Sequence, residues 1–415
     1  MSKKIKVICD CDNTTAFPGR PMDDALAILY LLGSPDIELI GITCNYGNGT
    51  SRESYYSNTT MLRETGYDRI PVFRGFEQGE DPVCDSSRFI AESAEKYSGE
   101  LVYLGIGSLG NLYGAYLLDN DIFDKISQIV LMGGITEPLF VHGDQPLDEL
   151  NFSVNAKASA LVLSKGHNIS VITGNNCLPV SALPKDEFLD KLCSSDNPAG
   201  MYIAQKCGYR FKTKEIVYGA DSSYCWDAVA AAYINHPEKY SDQFFPCYIN
   251  EKEIGASGFL HPCDETEANN MINIPVARSR IEIQELFYSS WLNLDINTGD
   301  ANFSCKGLYL DKLIQPCILI ELSKEPCYGF RLLQKLKDDG YIEDTLDPTG
   351  FYRNLRKMEK DGYLTSESSG KGPRAKKTFA ITDFGRRALL NWRDSLSKYE
   401  RHISRIVDGI SQSEH

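Results

Sequence analysis

Hydrophobic positions along the first 290 residues follow two alternating patterns. Short apolar runs, Ile5–Cys9, Ile37–Thr43, Leu101–Ile106, Ile126–Met132 and Ile169–Thr173, read as buried strands. Between them, apolar residues recur at helical spacing. Ala25, Ile28, Leu29 and Leu32 follow Asp23-Asp24, Tyr55, Thr59 and Leu62 share a face within 51–65, and further helices are expected over 112–118 and 156–164. Strands interleaved with helices at this spacing predict an α/β domain with a mostly parallel sheet. Residues 181–245 read largely helical, with Trp226–Tyr233 the most apolar helix start. Residues 246–292 read as short strands around a turn-rich insertion, Gly255–Asn273.

The pattern then changes. Asn293 to Gly307 is polar and aperiodic, so the first domain is placed at 1–292, a linker at 293–307 and a second domain at 308–415. In the second domain Leu308–Leu322 reads as an apolar helix and another runs through Leu336. Pro348, after Asp347, opens a third that carries Arg353, Arg356, Lys357 and Lys360. Gly362–Thr365 and Lys377–Ile381 read as strands joined by a basic hairpin. This order predicts a winged helix-turn-helix. A last helix, Phe384 to Ile410, places Leu389, Trp392, Leu396, Ile403 and Ile406 at the spacing of a dimer seam or of a monomer core.

Composition narrows the function classes. The 415 residues have a formal net charge of −14, which argues against a surface that coats nucleic acid throughout while allowing a local basic face. No apolar run is long enough to span a bilayer, and Met1–Ile5 runs straight into the first strand, so a cytoplasmic location is expected. The 13 cysteines include no CxxC pair, and several, such as Cys9 and Cys44, lie in strand-like runs; reduced core thiols are expected.

Candidate chemistry gathers at the strand ends, where open α/β sheets bind ligands. Asp10 and Asp12 close the first strand, Asn45 to Gly49 the second, Gly107 to Asn111 the third and Gly133-Gly134 the fourth. With Asp23 and Asp24 at a helix start, four carboxylates converge on one region. The helix dipole offsets only about 0.3–1 kcal/mol of that crowding. A hard cation with several oxygen ligands offsets far more. The plainer alternative is a capped helix whose acids are solvated.

The Asp-x-Asp … Asp-Asp-Ala-x-Ala-Ile stretch resembles the signature of the inosine–uridine-type nucleoside hydrolases. The resemblance covers about residues 5–290. It includes Gly41-Ile42-Thr43 … Gly47-Asn48, Ile106 to Asn111, Ile129 to Gly134, Glu149-Leu150-Asn151 and Trp226-Asp227-Ala228-Val229-Ala230. It implies hydrolysis of a ribonucleoside N-glycosidic bond around a held Ca²⁺. Asp12, Asp24 and Asp227 would be its carboxylate ligands and the Gly110 carbonyl a further one. Asp12 would also be the catalytic base. Asp23, Asn48, Glu149 and Asn151 would hold the ribose, and Asp10, grouped with the substrate residues, would brace the ligands from behind.

Two departures bear on substrate choice. The loop Asn13–Met22 is longer than the family's, so Thr14, Phe17 and Arg20 are expected either to contact substrate or to close the site. The family's His before the distal Asp is Trp226 here, and indole has no proton to give near neutral pH. Trp226 then either stacks on a base, favouring a purine or modified purine nucleoside, or is a core residue. Leaving-group acid chemistry falls to His142, with Tyr224 a second candidate.

Residues 308–410 resemble the PadR family of winged-helix transcriptional regulators. The matched segments are Pro326 to Phe330, Phe351 to Leu355, Met358 to Leu364, and Gly372-Pro373-Arg374 with Thr382 to Gly385. The resemblance implies a homodimer built through the last helix. DNA would be met by Arg353, Arg356 and Lys357 of the recognition helix and by Arg374, Lys376 and Lys377 of the wing. Three functions are thus in view: a hydrolase whose second domain dimerises or locates it, a nucleoside-responsive regulator with a hydrolase-like sensor, and a bifunctional enzyme that also represses its own operon.

Overall fold

A computed structural model describes residues 3–393 apart from 18–19, 142–145, 148, 194–196, 205, 208–221, 297–309, 340, 342–347, 361, 370–375 and 390–391. The chain divides into two compact units, Met1–Thr298 and Gly299–His415.

The first unit is built on an eight-stranded sheet. Its leading strands are β1 (Ile5–Cys11), β2 (Ile37–Cys44), β3 (Val72–Arg74), β4 (Leu101–Gly105), β5 (Ile126–Met132) and β6 (Ile169–Ile172). Two later strands, Phe244–Cys247 and Asn270–Asn273, extend the β6 side, so the order runs 244–247, 270–273, β6, β5, β4, β1, β2, β3. All neighbours are parallel except the outermost pair, 244–247 with 270–273. β1 lies centrally, and its register sets Asp10 beside Thr43 of β2 and Gly105 of β4. Strand order reverses around β1, which makes the crevice beyond its end the favoured ligand position in a sheet of this kind.

The helix α1 (Asp23–Gly33) is buried over nearly its whole length, which explains the apolar run behind its two acids. It packs against the helices Trp226–Asn235 and Arg280–Leu292. Trp291 of the latter is fully buried, donates its indole N–H to the Leu26 carbonyl at 2.9 Å and meets Phe287, Tyr288 and Phe188. This aromatic block fixes the helix whose first turn carries Asp23 and Asp24.

The sequence reading differs from the structure at several places. Directly beyond β6, where the sequence reading placed no element, the helix Gly174–Ser181 begins, its Asn176 N–H capped by the Thr173 hydroxyl. Residues 181–245 are less helical than expected, since Ala182–Pro184 and Ser222–Tyr224 pair as antiparallel strands. Leu294 and Ile296 at the start of the polar stretch are buried in the first unit's core, and Asn293 donates to the Gly33 carbonyl at 2.7 Å. Packing therefore carries the first unit past residue 292.

The second unit contains helices Leu310–Lys324, Gly329–Asp338 and Pro348–Lys360 and a three-stranded sheet of order Cys327–Tyr328, Lys376–Ile381, Leu364–Ser369. Ile318, Leu332, Leu336, Phe351, Leu355 and Phe379 form its core. Leu389 and Trp392, read as part of a dimer seam, pack against that same core, and residues 394–415 lie outside the described residues. Among the described residues no helix is long and apolar enough to cross a membrane.

Candidate active site

Residues at and beyond the carboxyl ends of β2, β4, β5 and β6, with the start of α1, line a cavity of ≈ 290 Å³. Asp23, Asn48, Glu149, Asn151 and Asp227 supply its polar lining; Pro21, Ile106, Met132, Leu139, Leu147 and Trp226 are among its apolar walls. Asp227 sits in the first turn of the Trp226 helix, as Asp23 and Asp24 sit in the first turn of α1. Two helix N-termini thus point their positive ends at one cluster of acids.

Asp10 is withdrawn from the cavity, which corrects its grouping with the substrate residues. It is fully buried and accepts from Thr43 Oγ1 at 2.6 Å, Asn45 Nδ2 at 2.6 Å, Asn111 Nδ2 at 2.7 Å and the Tyr103 hydroxyl. Burial pushes its pKa up to about 7, against the pull of those four donors. Its geometry is that of a tie between β1, β2, β4 and the helix after β4. Asn45 is one of the strand-end residues marked in the sequence, whereas Tyr103, inside an apolar run, carries no polar signal there.

Asp12 is held by one residue. Asn48 donates its backbone N–H to Oδ2 at 2.5 Å and its side-chain amide to Oδ1 at 3.1 Å. Burial pushes the Asp12 pKa up to about 6, opposed first by the Asn48 backbone bond. Gly47 is required by this approach, since a Cβ there would lie 2.1 Å from Asp12 Oδ2. The Asp12 N–H in turn donates to Asp24 Oδ1 at 3.0 Å.

Carboxylate oxygens of Asp23, Asp24 and Asp227 lie within 4.8 Å of one another, the one such group among the described residues. Burial raises the pKa of Asp24 and of Asp227 well above the usual range. Asp12 then adds most to the Asp24 shift and Asp23 to that of Asp227. The second oxygen of Asp24 is buried with no hydrogen-bond partner. A buried, unpaired carboxylate oxygen among other acids is costly unless a cation joins it, so this all-oxygen donor set fits a hard divalent ion. The sequence-derived set named Asp12 in place of Asp23. Asp12 stands next to the cluster, bonded to Asn48.

Gly110 begins the helix Gly110–Leu118 beyond β4. A Cβ at this position would lie 2.3 Å from the Phe76 ring, so Phe76 fills the space a side chain would need. Glu149 lines the cavity, but its oxygens already accept the backbone N–H groups of Gly134 at 3.0 Å, Phe152 at 2.9 Å and Ser153 at 3.0 Å. Burial still raises its pKa over those bonds. Asn151 is oriented by its amide nitrogen, which donates to the carbonyls of Met132 at 3.0 Å and Ile106 at 3.3 Å.

Trp226 is half-buried, borders the cavity and stacks on Tyr224, with ring centroids 5.3 Å apart. His142 lies outside the described residues. Of the long loop, Pro21 borders the cavity. Thr14 is buried, Phe17 packs on Tyr56 with centroids 5.8 Å apart, and the Arg20 guanidinium donates to the Asn48 carbonyl at 2.7 Å.

In the second unit Arg353, Arg356 and Lys357 are exposed along one helix. Lys377 is paired with Glu359 at 2.7 Å. Arg374 and the side chain of Lys376 lie outside the described residues.

Comparison with known proteins accords with this layout. The family description for PadR-like transcriptional regulators matches residues 318–391. Uridine nucleosidase 1 of Arabidopsis thaliana is 27% identical over 219 residues, covering 46% of this chain and 62% of that protein. The pyrimidine-specific ribonucleoside hydrolase RihB of Escherichia coli is 26% identical over 269 residues, covering 58% and 82%. Among solved structures, a purine-preferring ribonucleoside hydrolase from Gardnerella vaginalis shares the fold, with a TM-score of 0.60 at 22% identity over 70% of this chain and 98% of that one. The description for inosine-uridine preferring nucleoside hydrolases matches residues 7–279, a span that contains the whole acidic cavity, and the chain belongs to that family.

Proposed function

We propose that the first unit hydrolyses the N-glycosidic bond of a ribonucleoside, giving ribose and free base. One observation carries the reading: a single cavity is lined both by carboxylates, Asp23, Glu149 and Asp227, and by apolar side chains that include Trp226. Sugar hydroxyls suit the first surface and a flat base the second.

Asp24, Asp227 and Asp12 or Asp23, with the Gly110 carbonyl, would hold a divalent cation, and Ca²⁺ is the ion we favour for this all-oxygen set. When bound, such an ion fixes vicinal hydroxyls and lowers the pKa of water. The chain's own groups do the rest. Asp12, with both oxygens oriented by Asn48, takes the proton of the attacking water. Asp23, Asn48 and Asn151 bind the ribose hydroxyls, and Glu149 reaches the sugar with the lone pairs its backbone bonds leave. The carboxylates nearby stabilise the oxocarbenium-like charge on the sugar as the bond breaks. Trp226 cannot protonate the departing base, so it acts by stacking, which favours a purine or modified purine. His142 is our candidate for the leaving-group acid.

The second unit is proposed to dimerise the enzyme and to contact DNA through Arg353, Arg356 and Lys357, with Arg374 and Lys376 on the wing; Lys377, tied to Glu359, contributes less. The match to PadR-like regulators supports a second reading, a nucleoside-responsive regulator with the cavity as sensor. The deciding experiment incubates the full chain with Ca²⁺ and a panel of ribonucleosides, assaying free base and ribose. Product from at least one substrate is expected. No turnover, with nucleoside-dependent retention of DNA in a gel, overturns the enzyme reading in favour of the sensor.

A further inference from the structure

The loop between Asn13 and Met22 is tied down at several of its described residues. Asn13 donates to Asn58 at 2.8 Å, the Ala16 N–H to Ser57 Oγ at 3.3 Å, and the Phe17 N–H to the Thr14 carbonyl at 2.9 Å. Its last tie is of another kind. The Arg20 guanidinium donates to the backbone carbonyl of Asn48, a cavity-lining residue, at 2.7 Å, although its own side chain is exposed.

Asn48 is the residue whose N–H and amide grip both oxygens of Asp12. The start of its turn is anchored by other contacts. The Asn45 N–H donates to the Cys11 carbonyl at 2.8 Å and Ser108 Oγ to the Tyr46 carbonyl at 3.0 Å. At Asn48 itself the N–H is fixed by Asp12 and the C=O by Arg20. The two peptide units flanking one Cα are therefore held, which leaves little freedom in that residue's dihedrals. A charge-assisted bond is the strong form of such a tie, and a guanidinium presents its donors in a fixed plane.

We propose that Arg20 is a positioning residue for the hydrolysis. It straps the 13–22 loop to the Asn45–Gly49 turn and, through Asn48, sets the direction of the Asp12 carboxylate. The proposal rests on the hydrolase reading above. It assigns Arg20 of the long loop a positioning task, distinct from both the substrate contact and the closure of the site expected from the sequence. The strap also links the two arms of the site, because Arg20 lies three residues before Asp23 while Asn48 holds Asp12.

The test compares wild type with R20A, R20Q and R20K as full chains, reading kcat, KM, thermal midpoint and amide hydrogen exchange over 13–22 and 45–50. R20A and R20Q are expected to lose about 10- to 100-fold in kcat with KM within about threefold, the pattern of a displaced catalytic group. Exchange at 45–50 is expected to quicken while the thermal midpoint stays in place. R20K should retain part of the rate, and added guanidinium should restore part of it to R20A. A rise in KM alone would make Arg20 a substrate contact and overturn the proposal. So would loss of rate matched by a fall in thermal midpoint, or unchanged exchange in R20A with an active wild type. A wild type that turns over no ribonucleoside sinks the hydrolase reading first, and the exchange comparison then reports on the strap by itself.

Discussion

At the scale of the residue, similar carboxylates have different tasks because their surroundings differ. Asp10 is saturated by four donors, Asp12 is gripped by one residue, and Asp24 keeps a buried oxygen without a hydrogen-bond partner. Replacing Asp12 with Asn keeps the shape and removes the proposed base. A fall in kcat of about 10²- to 10⁴-fold is expected, measured by ribose release. Gly47→Ala should fail differently. Its Cβ would displace the Asp12 carboxylate, so activity should fall steeply while far-UV circular dichroism stays unchanged. At Trp226, Ala should raise KM for purine nucleosides more than for pyrimidine ones if stacking carries binding; equal rises would assign Trp226 to the core.

At the scale of the element, the site depends on α1 arriving in the right place. Its position is fixed less by propensity than by Trp291, Phe287 and Phe188 behind it. Trp291→Ala empties a fully buried site and should cost about 3–5 kcal/mol in a urea melt. A bound cation works at the same scale from the other side, joining the first turns of α1 and the Trp226 helix, which otherwise repel through their acids. At a hundredfold excess over its dissociation constant such an ion adds about 2.7 kcal/mol. Chelation should therefore lower the thermal midpoint by about 5 °C or more, and Asp24→Asn should blunt that response.

For the whole molecule, the two units differ in charge. Residues 1–298 carry 23 Lys and Arg against 40 Asp and Glu, while residues 299–415 carry 20 against 17. The acidic excess lies wholly in the first unit and the second is net basic, so any DNA binding falls to the second. Replacing Arg353 and Arg356 with Ala in the full chain should weaken gel retention of DNA. For every phosphate left unneutralised, the slope of log affinity against log salt should flatten by about 1. Unchanged retention would leave dimerisation as that unit's proposed role.

Sequence by itself determined the alternation of strands and helices, the acids at the strand ends and the change of character near residue 300. Burial repeats along an element and is therefore written in its periodicity. The tertiary structure decided which acids face each other. Asp10 lies in β1 and Asp12 just past its end, two residues apart, yet one is sealed among donors from β2, β4 and the segments beyond them and the other faces Asn48. Asp23 joins Asp24 and Asp227, and Phe76 leaves room only for Gly at 110. Arg20, read from the sequence as a residue that contacts substrate or closes the site, meets Asn48 28 positions away. Such pairings depend on strand register and on where a loop lands, and neither leaves a periodic trace in the chain.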